Sequence, residues 1–351
     1  MCDFSQYSGA SEEWLAVAAT LPAAPTNLSI EERRTAANAL REATAATAMK
    51  TLGPWITTTD HTIPTRDGST VEARTYRLAS LPDTEPLPAY IHLHGGGFLF
   101  GTLASEDAIC ARIAINTSAV VLNINYRHTP EHKYPTAWND VEDAFAWLHE
   151  NVSVLNADPA RVVVGGISAG AYLAASLVLG QHLGHVAAQL PKIAGQVLMI
   201  PAMGHTKCHG PQMARLKDMS VSSWETCKDA PILPREVCEL FMDLLAVEKL
   251  DETDVRMNPG NASPEQVKGL PPTVFGVAGL DPLRDEGLLY AKLLAESGVP
   301  TDVSLFRGVP HGFRRFGEKL SESKRWDSVV ETGISWALSG PEAGEFVVKT
   351  E

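Results

Sequence analysis

Three valines running into Gly165-Gly166-Ile167-Ser168-Ala169-Gly170 constrain the fold of this chain more than any other stretch. The valines call for a buried strand and residues 169–183 for a helix, with only a Gly-x-Ser-x-Gly turn between them. A strand that becomes a helix in so few residues turns so sharply that Gly166 and Gly170 must leave room for the crossing backbone. Ser168 is thereby pushed out at the helix N-terminus. A hydroxyl held there is a weak nucleophile alone and needs a base within hydrogen-bond reach, which only another strand end can supply.

The rest of the chain offers such strand ends. Apolar runs at 89–93, 119–125, 161–165, 196–200, 273–278 and 302–306 alternate with helical stretches such as 137–150, as in a parallel sheet covered on both faces. Ahead of them, 57–63 and 70–78 flank Pro64-Thr65-Arg66-Asp67-Gly68. An Asp-Gly between two alternating runs predicts a hairpin that opens the sheet antiparallel. The fold class is therefore α/β, a mostly parallel eight-stranded sheet flanked by helices. The first ~50 residues read as helical, with Ser29 as N-cap and Glu32 at N3 of a capping box. Residues 203–266 break the rhythm, showing helical periodicity only around 234–249, and a connection of that length reads as a lid. The expected division is a helical cap segment at 1–54, a catalytic core at 55–202 and 267–345, and an inserted lid at 203–266.

Composition narrows the partners. A net charge of −13, from 29 basic and 42 acidic residues, argues against nucleic-acid and anionic-membrane surfaces. No stretch approaches the ~18 consecutive apolar residues of a membrane span. The N-terminus lacks a basic region and carries Asp3, Glu12 and Glu13, so it does not read as a signal peptide. Five scattered cysteines fit free thiols in a reducing, cytoplasmic compartment. An edge strand or a helix at 326–338 offers a surface for a homodimer, against the plainer reading of a helix packed on the sheet.

Two downstream residues complete a chemistry for Ser168. His311 follows the run 302–306 and is the candidate base, and Asp281 follows 273–278 as the carboxylate that would fix the imidazole's tautomer and stabilise its charge. His94-Gly95-Gly96-Gly97, after the run 89–93, supplies backbone amides that with Ala169 can stabilise an oxyanion. This order of glycine loop, serine, acid and histidine is that of the α/β-hydrolase fold. Asp285 and Glu286 compete with Asp281 but fall on the following helix. His149, His182 and His185 compete with His311 but read as solvated. His92 and His94 read as structural, and Tyr126 and Glu131 as members of a buried polar network. His205, Cys208 and His209 fit no complete zinc pattern, so no metal and no cofactor is expected.

Five segments in order carry a family resemblance: His92 to Phe98, Tyr126 to Pro135, Gly166 to Gly170, Asp281-Pro282-Leu283-Arg284-Asp285-Glu286 and His311-Gly312-Phe313. Over roughly residues 88–316 the chain resembles the hormone-sensitive-lipase family of carboxylesterases. The resemblance implies Ser168, Asp281 and His311 as triad and the amides of Gly96, Gly97 and Ala169 as oxyanion hole. It also implies a lid built from N-terminal helices and the later insertion, and short-chain esters as substrates. The chain departs from the family with Ile167 where Asp is frequent, Ala171 where Gly is frequent, and His128-Thr129-Pro130 where Leu-Ala-Pro is usual.

The expected function is thus a serine carboxylesterase acting on small-molecule esters through an acyl-enzyme on Ser168, with Phe98, Leu99 and Trp224 lining the pocket. The alternatives on the same scaffold are a lyase, cyclase or transacylase, and a non-catalytic ligand receptor, which the presence of His311 disfavours.

Overall fold

The computed structural model describes residues 1–22, 28–82 and 84–351. Among these, nine strands form one sheet in the order β1-β2-β4-β3-β5-β6-β7-β8-β9. β1 (Ile56–Pro64) and β2 (Thr70–Leu78) make the expected antiparallel hairpin, with Gly68 at φ 82° in its turn. β2 pairs antiparallel with β4 (Val120–Asn125), and β3 (Leu87–Leu93), β5 (Ala157–Ile167), β6 (Gly195–Met199), β7 (Thr273–Leu280) and β8 (Thr301–Pro310) continue in parallel. The expected count of eight is corrected to nine by β9 (Val348–Lys349), which pairs with β8 at the sheet edge. Two residues carry no readable period.

The parallel strands are apolar on both faces because both are covered. In β5, Val162 and Val164 pack into one hydrophobic layer and Val163 into the other. On the first face lie the helices α4 (Thr136–Glu150), α5 (Ala169–His182) and α7 (Arg284–Glu296), and on the second α3 (Leu103–Thr117) and α8 (Ser321–Leu338). α8 is seated on the sheet, with Trp326 2% exposed, so its apolar face is already spent within the chain.

The N-terminal residues divide into α1 (Glu12–Ala18) and α2 (Ile30–Leu52), and the expected Ser29–Glu32 capping box is present. Part of the expected helical span, residues 23–27, lies outside the described residues. The first residues depart from helix: Cys2 forms a bridge with Leu216, and Ser11 donates its amide to the Gly308 carbonyl. Residues 203–266 contribute no strand to the sheet, and their longest helix is α6 (Arg235–Leu244). No described helix is long and apolar enough to cross a membrane. Ser168, Asp281, His311 and the His94 loop all follow carboxyl ends of parallel strands, where open α/β sheets place their ligands.

Candidate active site

The turn after β5 has the strain that its sequence foretells. Ser168 sits at φ 55°, ψ −115°, a sparsely populated conformation that costs of order 1–3 kcal/mol. Its amide donates to the Met199 carbonyl at the end of β6 (2.8 Å), and its carbonyl accepts from Tyr172 (3.0 Å), so strand and helix jointly hold it. A Cβ on Gly166 would collide with the backbone of Gly170, and one on Gly170 with the backbone of Leu93. Both glycines are therefore dictated by close approach.

His311 Nε2 lies 3.0 Å from Ser168 Oγ, and His311 Nδ1 lies 2.6 Å from Asp281 Oδ2. A carboxylate only accepts, so Nδ1 carries the proton and Nε2 is left to accept from the serine hydroxyl. The other Asp281 oxygen accepts from the Leu283 amide (2.9 Å), which fixes the carboxylate's orientation. Asp281 is 1% and His311 8% exposed. Asp285 is engaged elsewhere, by the Ser223 amide (2.8 Å) and Arg284 Nε (2.7 Å). Of the competing histidines, His149 is not solvated as expected: it is half-buried, because Phe145 one turn earlier on α4 packs edge-on against its ring.

The glycine loop after β3 is anchored carbonyl by carbonyl. The Tyr126 hydroxyl donates to the His94 carbonyl (2.8 Å), Arg41 of α2 donates twice to the Gly95 carbonyl (3.1 Å each), and Leu99 and Phe100 amides donate to the Gly96 carbonyl (3.0 Å each). Gly96 and Gly97 have φ of 137° and 60°, and a Cβ on Gly97 would enter the Phe241 ring. His94 stacks on Tyr126 and its Nε2 faces His128 Nε2 at 3.3 Å. Burial pushes both imidazoliums down, His128 to about 4, so the pair packs as neutral rings. Glu131 corrects the expectation of a buried network. It is about half exposed and forks onto Arg34 of α2 (2.8 Å), because its loop lies under that helix and not inside the core.

Ser168, Ala169 and Gly97 open into a pocket whose empty space, its open mouth included, is about 430 Å³. Residues 203–266 supply much of its wall, including Trp224, Leu233, Cys238, Phe241 and Met242, with Leu283 opposite. Trp224 is where the sequence reading puts it, but Phe98 and Leu99 are not. At φ 61°, Phe98 turns inward, stacks on Trp138 (5.1 Å) and is fully buried, and Leu99 is 1% exposed. The apolar wall is interrupted by Thr206, His209 and Glu286. Glu286 is 4% exposed. Burial drives its carboxyl well above the usual range and the charge of Asp281 adds to this, against a hydrogen bond from the Met203 amide. Its surroundings therefore favour the protonated form. His205 Nδ1 accepts from the Lys207 amide while His209 sits edge-on to Trp224, so these two rings serve different neighbours.

Comparison with known proteins places this geometry. Residues 90–315 match the α/β-hydrolase fold family. The esterase LipI of Mycobacterium tuberculosis is 35% identical over 244 residues, covering 69% of this chain and 71% of that protein. The crystal structure of vibralactone cyclase superposes with a TM-score of 0.84 at 30% identity, covering 97% of both chains. The hyperthermophilic esterase of Pyrobaculum calidifontis superposes with a TM-score of 0.77 at 31% identity, covering 94% of this chain and 99% of that one.

Proposed function

The chain belongs to the hormone-sensitive-lipase-like family of α/β-hydrolase carboxylesterases, and from that premise we propose that its Ser168, His311 and Asp281 hydrolyse small carboxylic esters through an acyl-enzyme. The observation that carries the assignment is the unbroken chain from Ser168 Oγ through His311 (3.0 Å) to Asp281 (2.6 Å).

In the first half-reaction His311 Nε2 takes the hydroxyl proton as Ser168 Oγ attacks the ester carbonyl. The imidazolium that forms is stabilised by Asp281. The amides of Gly96, Gly97 and Ala169 receive the oxyanion; Ala169 opens α5, so its N–H has no partner within the helix. His311 then protonates the departing alcohol. In the second half-reaction His311 deprotonates water, which attacks the acyl-enzyme, and the acid leaves as Ser168 regains its proton. Glu286, Thr206 and His209, the polar residues of the wall, face the non-reacting part of the ester. We assign residues 1–54 and 203–266 to the cap that covers the core, and we place the chain in the cytoplasm, as its five free thiols suggest. We take esters of short acyl groups as its substrates, held against the wall of Trp224, Phe241 and Leu283.

A second reading is favoured by one observation, the end-to-end superposition on vibralactone cyclase. In that case a hydroxyl of the same acyl group, not water, attacks the acyl-enzyme, and a lactone leaves in place of the acid. Turnover of p-nitrophenyl esters from acetyl to dodecanoyl and of an ω-hydroxyacyl ester, whose hydroxyl allows a lactone to leave, with Ser168→Ala alongside and products weighed by mass spectrometry, separates the two. Free acid, peaking at short acyl chains and absent with the variant, is the expected result. Failure of the folded protein to release p-nitrophenol from any of them would contradict both.

A further inference from the structure

We propose that Arg41 of α2 is a positioning residue for the Gly96 amide, so that the seat of this N-terminal helix sets the geometry of the oxyanion hole. The proposal rests on the reading of Gly96 as an oxyanion donor.

A trans peptide is planar, with its carbonyl and the following N–H pointing in opposite directions. Whatever holds the Gly95 carbonyl therefore aims the Gly96 N–H. Gly95 and Gly96 have no side chains to lock their shared peptide, and Gly96 at φ 137° lies where backbone freedom is largest. The neighbouring carbonyls are held from within the core: His94 by Tyr126, Gly96 by the amides of its own loop. The Gly95 carbonyl is held from both sides: His94 Nδ1 lies 3.2 Å from it within the core, and from outside it accepts from Nη1 and Nη2 of Arg41 at 3.1 Å each.

Arg41 is itself fixed. Its Nη2 donates to Glu106 Oε1 (2.9 Å), whose other oxygen lies 2.9 Å from His92 Nε2. Burial alone would raise the Glu106 carboxyl, but Arg41 and His92 outweigh it and hold the group below the usual carboxylate range. A buried carboxylate is costly without its cation, so the pair is tied at both ends.

The same face of α2 carries the rest of its docking. Arg34 forks onto Glu131, Asn38 Oδ1 accepts from the Gly101 amide (2.9 Å), and Glu42 Oε1 accepts from the Thr102 hydroxyl (2.7 Å). Positions 34, 38, 41 and 42 fall on one side of a helix. The only buried residue of α2 is Ala45, so polar contacts, not an apolar stripe, hold the helix on the glycine loop. Lifting α2 would remove two of the three contacts on the Gly95 carbonyl, leaving His94 Nδ1, and so loosen the aim of the Gly96 N–H.

The test compares Arg41→Met, Arg41→Lys and, as a control for docking alone, Arg34→Met. Steady-state kinetics on p-nitrophenyl butyrate are measured together with inhibition by an alkyl trifluoromethyl ketone, which forms a tetrahedral adduct on the serine. Loss of one oxyanion donor costs ~10²–10³ in rate, so misaiming one is expected to lower kcat by about 10- to 100-fold in Arg41→Met. KM should stay within about twofold, and ketone affinity should weaken by the same factor as kcat/KM. Arg41→Lys keeps a charge for Glu106 but cannot fork, and should fall between. Arg34→Met leaves Asn38, Arg41 and Glu42 to seat the helix and should match the wild type, whereas an equal loss in Arg34→Met would overturn the assignment to Arg41. Folded Arg41 variants, verified by circular dichroism, that keep both kcat and ketone affinity overturn the inference while the esterase reading stands. If Arg41→Met does not fold, Arg41→Lys decides by the same two readouts. Wild-type protein without ester turnover, or turnover that survives Ser168→Ala, overturns the underlying reading instead.

Discussion

Asp281 holds His311 by one carboxylate oxygen at 2.6 Å while its other oxygen is pinned by the Leu283 amide at 2.9 Å. The acid is thus locked on both sides, and the tautomer of the histidine follows from it. Asp281→Asn should keep the shape but present an amide that can donate to Nδ1 and so reverse the tautomer. We expect kcat to fall by about 10³–10⁴-fold with a change in Tm of only a few degrees. A kcat within tenfold of wild type, from steady-state kinetics, would assign the orienting role elsewhere.

Phe241 stands over Gly97 and against Phe100, where it lines the cavity beside Ser168. Phe241→Ala should open space above the reacting carbonyl. The preferred acyl chain, measured across a p-nitrophenyl ester series, should lengthen by about two carbons, since each buried methylene contributes about 0.8 kcal/mol of binding. An unchanged profile would place the acyl group in another part of the cavity.

Glu286 makes a pH prediction with a definite sign. Its carboxyl is raised in the folded protein by burial and by the charge of Asp281. The folded state therefore holds a proton that the unfolded state has released once pH exceeds the ordinary carboxylate range. Its contribution to stability is present below that range and is lost as pH rises toward the raised value. Glu286→Gln keeps the shape without the titration. Its Tm relative to wild type should increase from pH 5 to pH 8 in thermal melts, and a constant difference would mean that Glu286 is ionised in the folded chain.

Gly170 has no room for a methyl group, because the backbone of Leu93 occupies the position. Gly170→Ala should cost about 3 kcal/mol or more, seen as loss of soluble protein or a depressed Tm. Near-wild-type stability would show that the crossing of β3 and α5 is looser than described.

What the sequence revealed and what it concealed divide along physical lines. Motifs whose residues are dictated by local sterics were legible: Gly166, Ser168 and Gly170 at the turn, and Asp67-Gly68 in the hairpin. So were strands whose two buried faces leave a continuous apolar run, such as Val162 to Val164. The wall of the cavity was not legible, since nothing local shows that Phe98 adopts φ 61° and turns into the core. β9 is too short to have a pattern. The docking of α2 was hidden because Arg34, Asn38, Arg41 and Glu42 look like an ordinary solvated face, and only their partners at Glu131, Gly101, Gly95 and Thr102 make them a contact.

The most direct test of the central assignment is to expose the protein to a diethyl aryl phosphate and map the adduct by peptide mass spectrometry, with His311→Ala in parallel. A single diethylphosphoryl group on the peptide bearing Ser168, formed together with complete loss of ester hydrolysis and at least about 10³ times more slowly in His311→Ala, is the expected result. Labelling of another residue, or full hydrolysis by a protein phosphorylated at Ser168, would contradict the account.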